Sequence, residues 1–188
     1  MANSTRVKRG VSRDEWILEG LTVLNENGVD HVTVRNLARR LGIARSGFYW
    51  HFKDRDAFLE AMLDGWESLM TRAISENEEI GSLDPVERLR RIAELVLDFD
   101  LCAYEVALNH WAMQSKMAAD RVRAVNAVRT RFVRSAFAEL GFRRKELDAR
   151  TVLFVCSTTW EGVSFANVSA SRRRALISNC VKLLTRAD

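Results

Sequence analysis

The side chains best suited to chemistry in this chain are a basic and aromatic cluster within residues 31–53. This segment holds five Lys or Arg residues and no Asp or Glu, so its surface should attract a polyanion. Residues 45–51 contain an arginine, hydroxyl groups and aromatic rings with polar atoms. Because such groups hydrogen-bond base edges and phosphates, nucleic acid is the partner that the composition favours.

Two short helices are needed to position these side chains. Thr33 can cap the first helix, and Gly42, just past its last apolar residue, accepts the positive φ of a helix end. A second helix is expected to begin near residues 44–46, with Phe48 and Phe52 four residues apart on its buried face. The pattern therefore predicts a helix-turn-helix motif.

Each part of this motif has an alternative interpretation. A Leu-Gly pair between amphipathic helices is also common in helical bundles that bind no DNA. The adjacent Tyr49, Trp50 and His51 are hard to explain as core, because Phe48 and Phe52 already take the buried positions. Trp50 alone remains open to a second role, as a wedge against the first helix of the chain.

The segment VTVRNLARRLGIARSGFYWHFKDRDAFLEAML resembles the N-terminal DNA-binding domain of TetR-type transcriptional regulators. The resemblance implies that the third helix lies in the major groove of double-stranded DNA and that the fourth leads into a ligand-binding domain. It also implies DNA contacts on the second and third helices, from Arg35, Arg45, Ser46, Gly47, Tyr49, Trp50, His51 and Lys53.

These implied contacts differ in kind. Arg45 is expected to read sequence, because a guanidinium can bind guanine O6 and N7 together, and Ser46 and Gly47 should approach base edges. Tyr49 and His51 should hold the DNA backbone, with Trp50 packed beside them. Lys53 should add affinity without reading sequence, and Arg35 should touch phosphate or base.

Apolar periodicity predicts an all-α fold of about nine helices. The first helix should open at Ser12, where Glu15 completes a capping box, and close at Gly28. A later one should start where Asp84 precedes Pro85, after a break at the sequence ENEEIGSLD. Further helices are expected over residues 102–117, 122–140, 147–168 and 172–186.

The resemblance divides the chain into a DNA-binding domain, residues 1–53, and a ligand-binding and dimerisation domain, residues 54–188. Residues 1–13 carry four cations and no acid. This basic arm can lie along phosphates or enter the minor groove, or it can be a solvated tail.

A ligand pocket and a homodimer are also expected. Large apolar or polar side chains on the helices that line the family's cavity are the candidate ligand contacts, although each can equally be plain core: Met62, Trp66, Phe99, Tyr104, Leu108, Asn109, Trp111 and Phe132. The last two helices have two apolar faces, which either meet a second copy or pack within one subunit. The candidate interface residues are Phe154, Trp160, Leu176, Ile177, Cys180, Val181 and Leu184.

The sequence argues against other classes of protein. Only three histidines are present, with no HExxH, paired CxxC, P-loop or GxSxG motif, so an all-α enzyme is disfavoured and no cofactor or metal is expected. The polar, basic N-terminus predicts no secretory signal, and the odd number of cysteines, three, fits a reducing cytoplasm. No apolar run approaches the ~18 residues of a membrane span.

We therefore expect a homodimeric repressor that leaves a near-palindromic operator when a small hydrophobic or aromatic effector binds. Effector and DNA must then oppose each other reciprocally. The alternative is a helix-turn-helix regulator controlled by a protein partner with no small-molecule ligand. Activators also occur in the family.

Overall fold

The computed structural model describes residues 10–99, 101–160, 164–165 and 167–186. Within these ranges the chain is helical and contains no strand, which confirms the all-α fold. The ten α-helices there are α1 Arg13–Asn27, α2 Val34–Leu41, α3 Ser46–Tyr49, α4 Arg55–Met70, α5 Glu78–Ser82, α6 Pro85–Asp98, α7 Cys102–Ala112, α8 Lys116–Glu139, α9 Arg144–Thr159 and α10 Ala170–Thr185. A 3-10 turn, Val29–His31, precedes α2, and a π-helical turn, Thr71–Ser75, follows α4.

Helix ends that depend on local capping agree with the sequence. The Ser12 hydroxyl accepts from the Glu15 N–H at 3.2 Å, and the Glu15 carboxylate accepts from the Ser12 N–H at 2.6 Å. The backbone N–H of Ser12, followed by its side chain, stabilises the charged carboxylate and so holds the pKa of Glu15 below its ordinary value. Asp84 caps α6 by accepting from the Val86 and Glu87 N–H groups, each at 3.2 Å. The expected first helix and the helix start at Pro85 are confirmed.

One additional helix and the bounds of three others differ from expectation. The sequence ENEEIGSLD contains α5, because Asn77 Oδ1 accepts from two backbone N–H groups and starts a short helix. Ser115 caps Ala118 at 3.3 Å, so α7 ends at Ala112 and the long helix α8 begins well before residue 122. Helix α9 ends at Thr159 rather than at 168, and residues 161–163 and 166 lie outside the described residues.

The chain forms two compact units, one ending at Gly65 and the other beginning at Trp66. Aromatic rings fill the core of the N-terminal unit: Phe48 lies 5.4 Å from Trp16 and 5.3 Å from Phe58 between ring centres. The C-terminal unit is built around α8, whose Phe137 ring lies 6.0 Å from that of Phe154 on α9.

Two glycines allow a close approach of α1 and α4 in the N-terminal unit. A Cβ atom on Gly20 of α1 would lie 2.6 Å from Phe58 Cζ and 2.7 Å from Met62 Sδ. A Cβ atom on Gly65 of α4 would lie 2.9 Å from a methyl carbon of Ile17. Real Cβ contacts are not this short, so a larger residue at either position would force the neighbouring side chains to shift.

Candidate nucleic-acid interface

The turn between α2 and α3 depends on Gly42. Its φ of 68° and ψ of 33° are left-handed, a conformation that costs glycine nothing and strains other residues. The Ile43 N–H donates to the Ala38 carbonyl at 3.0 Å and so closes the end of α2. The chain then reverses sharply, and α3 begins at Ser46, as expected.

Buried aromatic residues fix which side of α3 faces outward. Phe48 is fully buried and Phe52 nearly so, with their ring centres 5.1 Å apart. Because both rings point into the core of the N-terminal unit, the residues between them must face solvent. Tyr49 is 61% exposed and Trp50 is 87% exposed. An exposure of 87% excludes the interpretation of Trp50 as a wedge against α1.

Seven of the eight proposed DNA contacts are exposed: Arg35, Arg45, Ser46, Tyr49, Trp50, His51 and Lys53. Gly47 is half-buried, and a Cβ atom on it would lie 3.3 Å from Ile43 Cδ1. All eight lie on α2, on α3 or in the segments that directly flank α3. The structure therefore brings this set onto two neighbouring helices, as a helix-turn-helix reader of DNA requires.

A shallow groove between α2 and α3 gathers three arginines. Arg35, Arg39 and Arg45 line it together with apolar residues that include Ala38 and Ile43. Three guanidinium groups around one concave surface favour a bound polyanion. Arg39 was not among the expected contacts, although its spacing of four from Arg35 places both on one face of α2.

Arg39 and Arg40 have different roles in the structure. Arg39 donates to Asn36 Oδ1 at 2.7 Å, which orients an exposed guanidinium beside the groove. Arg40 instead forms ion pairs with Glu19 and Glu26 of α1, the second at 2.8 Å. The charge of Arg40 is therefore balanced within the protein. Arg40 holds α2 against α1, and we do not count it among the DNA contacts.

His51 has a partner that the sequence did not indicate. Its Nε2 lies 2.9 Å from the Val11 carbonyl oxygen, and because a carbonyl only accepts, Nε2 carries the hydrogen. Val11 and Gly10 line a second groove with Ser46 and Trp50 of the α3 region. The cations of the basic arm within residues 1–9 lie outside the described residues.

Arg55 ties the start of α4 to the turn before α2. Its guanidinium donates to the carbonyl oxygens of Val32 and Val29 at 2.7 and 2.8 Å. These charge-assisted bonds are accepted by one carbonyl at the start of the 3-10 turn and one directly after its end. The position of α2 is thus set by α4 as well as by α1.

The C-terminal unit contains a cavity whose lining only partly matches the expected ligand contacts. Phe132 lines it, along with residues of α6, α7, α8 and α9. The other expected contacts lie elsewhere. Met62 packs in the N-terminal unit, Phe99 is 66% exposed, Tyr104 and Asn109 are half-buried, and Trp66, Leu108 and Trp111 are buried.

An ion pair in the wall of this cavity was not expected from the sequence. Arg129 Nη2 lies 2.5 Å from Glu105 Oε1, and both residues line the cavity. The two residues are 24 positions apart, on α7 and α8, so their spacing in the sequence does not predict an ion pair. Thr158 and Thr159 of α9 add hydroxyl groups to the same wall.

The last two helices divide the expected interface residues into buried and exposed groups. Phe154, Ile177 and Val181 are buried within the subunit, Leu176, Cys180 and Leu184 are half-buried, and Trp160 is 44% exposed. Exposed apolar residues, of which only Trp160 was among those expected, lie at helical spacing along α9 and at its C-terminal end, and α10 adds one more: Val152, Leu153, Cys156, Trp160 and Leu183. We refer to these five residues as the apolar stripe.

The described helices do not include one that is both long and apolar enough to cross a membrane. Among the described residues, no group of three or more His, Cys, Asp or Glu side chains is arranged to hold a metal ion.

Comparison with known proteins matches the part of the chain that carries this interface. Residues 17–62 fit the family model of the bacterial regulatory proteins of the tetR family. The tetracycline repressor protein class A from transposon 1721 of Escherichia coli is 46% identical over 48 residues, which cover 26% of this chain and 22% of that protein. An HTH-type regulator of Bacillus subtilis, YwcC, is 30% identical over 96 residues, covering 51% of this chain and 40% of that protein.

Solved structures extend the likeness to nearly the whole chain. A transcriptional regulator from Rhodococcus sp. Rha1 superposes with a TM-score of 0.73, covering 93% of this chain and 96% of that one, at 17% sequence identity. At that identity the likeness shows the fold alone. The matches to the tetracycline repressors of classes A and G span 22% and 30% of those proteins, so this chain matches less than a third of their length. The family model and the sequence relatives thus show that residues 17–62 are similar to the N-terminal domain of the bacterial regulatory proteins of the tetR family, and the solved structure shows that nearly the whole chain shares its fold with a transcriptional regulator.

Proposed function

We propose that this protein is a sequence-specific DNA-binding transcriptional regulator that acts in the cytoplasm, with residues 1–53 as its DNA-binding domain and 54–188 as its regulatory domain. The observation that carries the proposal is the exposed face of α3, held outward by the burial of Phe48 and bordered by the groove of three arginines. An exposed helix of this kind fits the major groove, while the arginines meet phosphates.

The direct test is DNA binding. Purified protein is titrated into labelled DNA from immediately upstream of its own gene and into a shuffled control, with fluorescence anisotropy measured at two salt concentrations. Tight binding to the native fragment alone supports a sequence-specific regulator of its own gene. Salt-insensitive or absent binding to both fragments contradicts the proposal, since any phosphate-binding protein responds to salt.

Arg45→Ala is expected to reduce sequence preference. Arg45 is exposed directly before the first residue of α3, and its guanidinium can make two hydrogen bonds to guanine. Losing them should cost about 1–3 kcal/mol on the operator and much less on random duplex. The measurement is the ratio of the two dissociation constants. An equal loss on both DNAs would show that Arg45 contacts only phosphate.

Lys53→Ala serves as the matched comparison, because Lys53 is exposed just beyond α3 and should contact the DNA backbone. Affinity should fall by a similar factor on operator and random DNA. The slope of log K against log salt should decrease by about one per subunit, since one fewer counterion is released. An unchanged slope would remove Lys53 from the phosphate contacts.

We further propose that two copies associate through the apolar stripe. Large exposed apolar side chains at helical spacing along α9, joined by Leu183 on α10, are what a two-fold helical interface needs. Phe154, Ile177 and Val181 support the stripe from inside the subunit rather than forming the interface. A two-fold dimer would present two copies of α3 to a near-palindromic operator.

Control by a small effector is the last part of the proposal. The cavity in the C-terminal unit has an apolar lining with a few polar groups, which is typical of small-molecule sites. If an effector binds one conformation better, it shifts the population toward that conformation, and DNA affinity falls reciprocally. Repression relieved by the effector is the expected logic. The test is release of bound operator on addition of a ligand found by direct binding.

A further inference from the structure

The cavity of the C-terminal unit has one chemically distinctive wall. Its volume is about 40 Å³, room for about three water molecules at 10–15 Å³ each. Most of the lining is apolar, from side chains such as Ile92, Val133 and Phe154. Glu105 and Arg129 interrupt this lining with a full negative and a full positive charge.

The ion pair is deeply placed. Glu105 is only 3% exposed, and its carboxylate oxygen Oε1 lies 2.5 Å from Arg129 Nη2. The guanidinium carbon of Arg129 also lies 6.0 Å from the ring centre of Trp66, within range of a cation–π contact. A buried ion pair adds little stability over an apolar pair of similar size, so its presence in a cavity wall points to recognition.

The Glu105–Arg129 ion pair restricts the charge of a ligand that can enter the cavity. An anion near Arg129 would meet the carboxylate of Glu105, and a cation near Glu105 would meet the guanidinium of Arg129, both in a poorly solvated site. A hydroxyl group suits both partners, because it accepts from an Arg129 N–H and donates to a Glu105 oxygen. The described bond uses one Arg129 nitrogen and one Glu105 oxygen, which leaves donors and acceptors for this purpose.

We propose that this cavity binds a neutral, mostly apolar molecule that carries one hydroxyl group, such as a phenol, with the hydroxyl bridging Arg129 and Glu105. The proposal rests on the proposed effector control and names the class of the effector. The apolar lining takes the body of the molecule, and the ion pair sets its orientation.

One wall of the cavity is formed by the segment that directly follows α4, so ligand binding there could change the position of α4. Ile74 lines the cavity from the π-helical turn Thr71–Ser75, where the Glu76 N–H donates to the Thr71 carbonyl at 2.9 Å. An aromatic ring is larger than three waters, so it must displace part of the wall. Because π-helical turns are uncommon and are frequently found at functional sites, Ile74 is the residue we expect to move, directly after α4.

The test uses four probes that share one propylbenzene body, titrated by calorimetry into the full-length wild-type protein. They are 4-propylphenol, propylbenzene, 4-propylbenzoate and the 4-propylbenzylammonium cation. The phenol is neutral near pH 7, since phenols such as tyrosine have a pKa of about 10. We expect 4-propylphenol to bind about tenfold or more tightly than propylbenzene, and neither ion to bind measurably.

Two variants exchange the selectivity. Glu105→Gln leaves Arg129 without a counter-charge, so 4-propylbenzoate should become the best probe. Arg129→Gln leaves the carboxylate of Glu105 without a counter-charge, so the 4-propylbenzylammonium cation should bind this variant most tightly of the four probes. Glu146→Gln, which alters an exposed ion pair with Arg150 on α9, is the control and should keep the wild-type order.

The wild-type series alone can overturn the proposal, whether or not a variant folds. Binding of 4-propylbenzoate as tight as that of 4-propylphenol would contradict the bridging hydroxyl, and so would equal affinities for 4-propylphenol and propylbenzene. Operator release is measured separately. Selective phenol binding without release supports the site and contradicts effector control. Specific operator binding without phenol binding supports the DNA-binding function and contradicts the proposed site.

Discussion

Leu153→Arg is expected to convert the proposed dimer into a monomer. Leu153 is 57% exposed in the middle of the apolar stripe, and burying the rest of it in the interface should contribute about 1–2 kcal/mol per copy. Two-fold symmetry makes the substitution act twice, because each copy would bring one unpaired arginine into the interface. The dimer dissociation constant should therefore rise by about 30-fold to 1,000-fold.

Sedimentation velocity at micromolar protein measures this change. Operator affinity should fall with it, because a monomer binds one half-site and loses the gain from two linked readers. Val106→Arg is the matched control: Val106 is also an exposed apolar residue of the C-terminal unit, 40% accessible, but it lies on α7 outside the stripe. A Leu153→Arg protein that sediments like the wild type would refute the interface.

Phe48→Ala is expected to unfold the DNA-binding unit. Phe48 is fully buried and its ring lies within 5.5 Å of the centres of four others, so its loss leaves a large cavity. Truncation of a buried phenylalanine costs about 3–5 kcal/mol, a large share of the stability of a small domain. Operator binding should disappear with the fold, and urea unfolding of the variant should begin at a lower concentration.

Trp50→Ala, two residues further on, separates folding from binding. Trp50 is 87% exposed, so the change in the free energy of unfolding should stay within about 0.5 kcal/mol. DNA affinity should nevertheless fall, because the side chain lies on the face that we assign to DNA.

If Phe48→Ala kept full operator affinity, the outward orientation of α3 would not depend on this aromatic core.

Local features of the fold were predictable because they depend on neighbouring residues. The cap at Ser12, the cap at Thr33 and the left-handed Gly42 each follow from a residue type at one helix end, and the structure has all three. Helix α5 was not predictable in the same way. It is five residues long and buries only Ile80, too little for a periodic pattern.

Features that depend on contacts between helices could not be predicted from the sequence. The pair of Glu105 and Arg129 joins positions on two helices, and nothing near either residue signals the other. On α9, apolar Leu153 and Phe154 are adjacent, yet one is 57% exposed and the other is buried at 1%. Spacing indicates that a helix has two apolar faces, but only packing decides which of them is left for a partner.

The paired glycines of α1 and α4 determine how the DNA-binding unit can respond to force. Because Gly20 packs against Phe58 and Gly65 packs against Ile17, we expect α1 and α4 to move as one body. Helix α3 packs on the same core through Phe48, so a displacement of α4 should reorient α3 with it. Operator preference can then change through the surface residues of α3 while the packing of α1 and α4 stays the same.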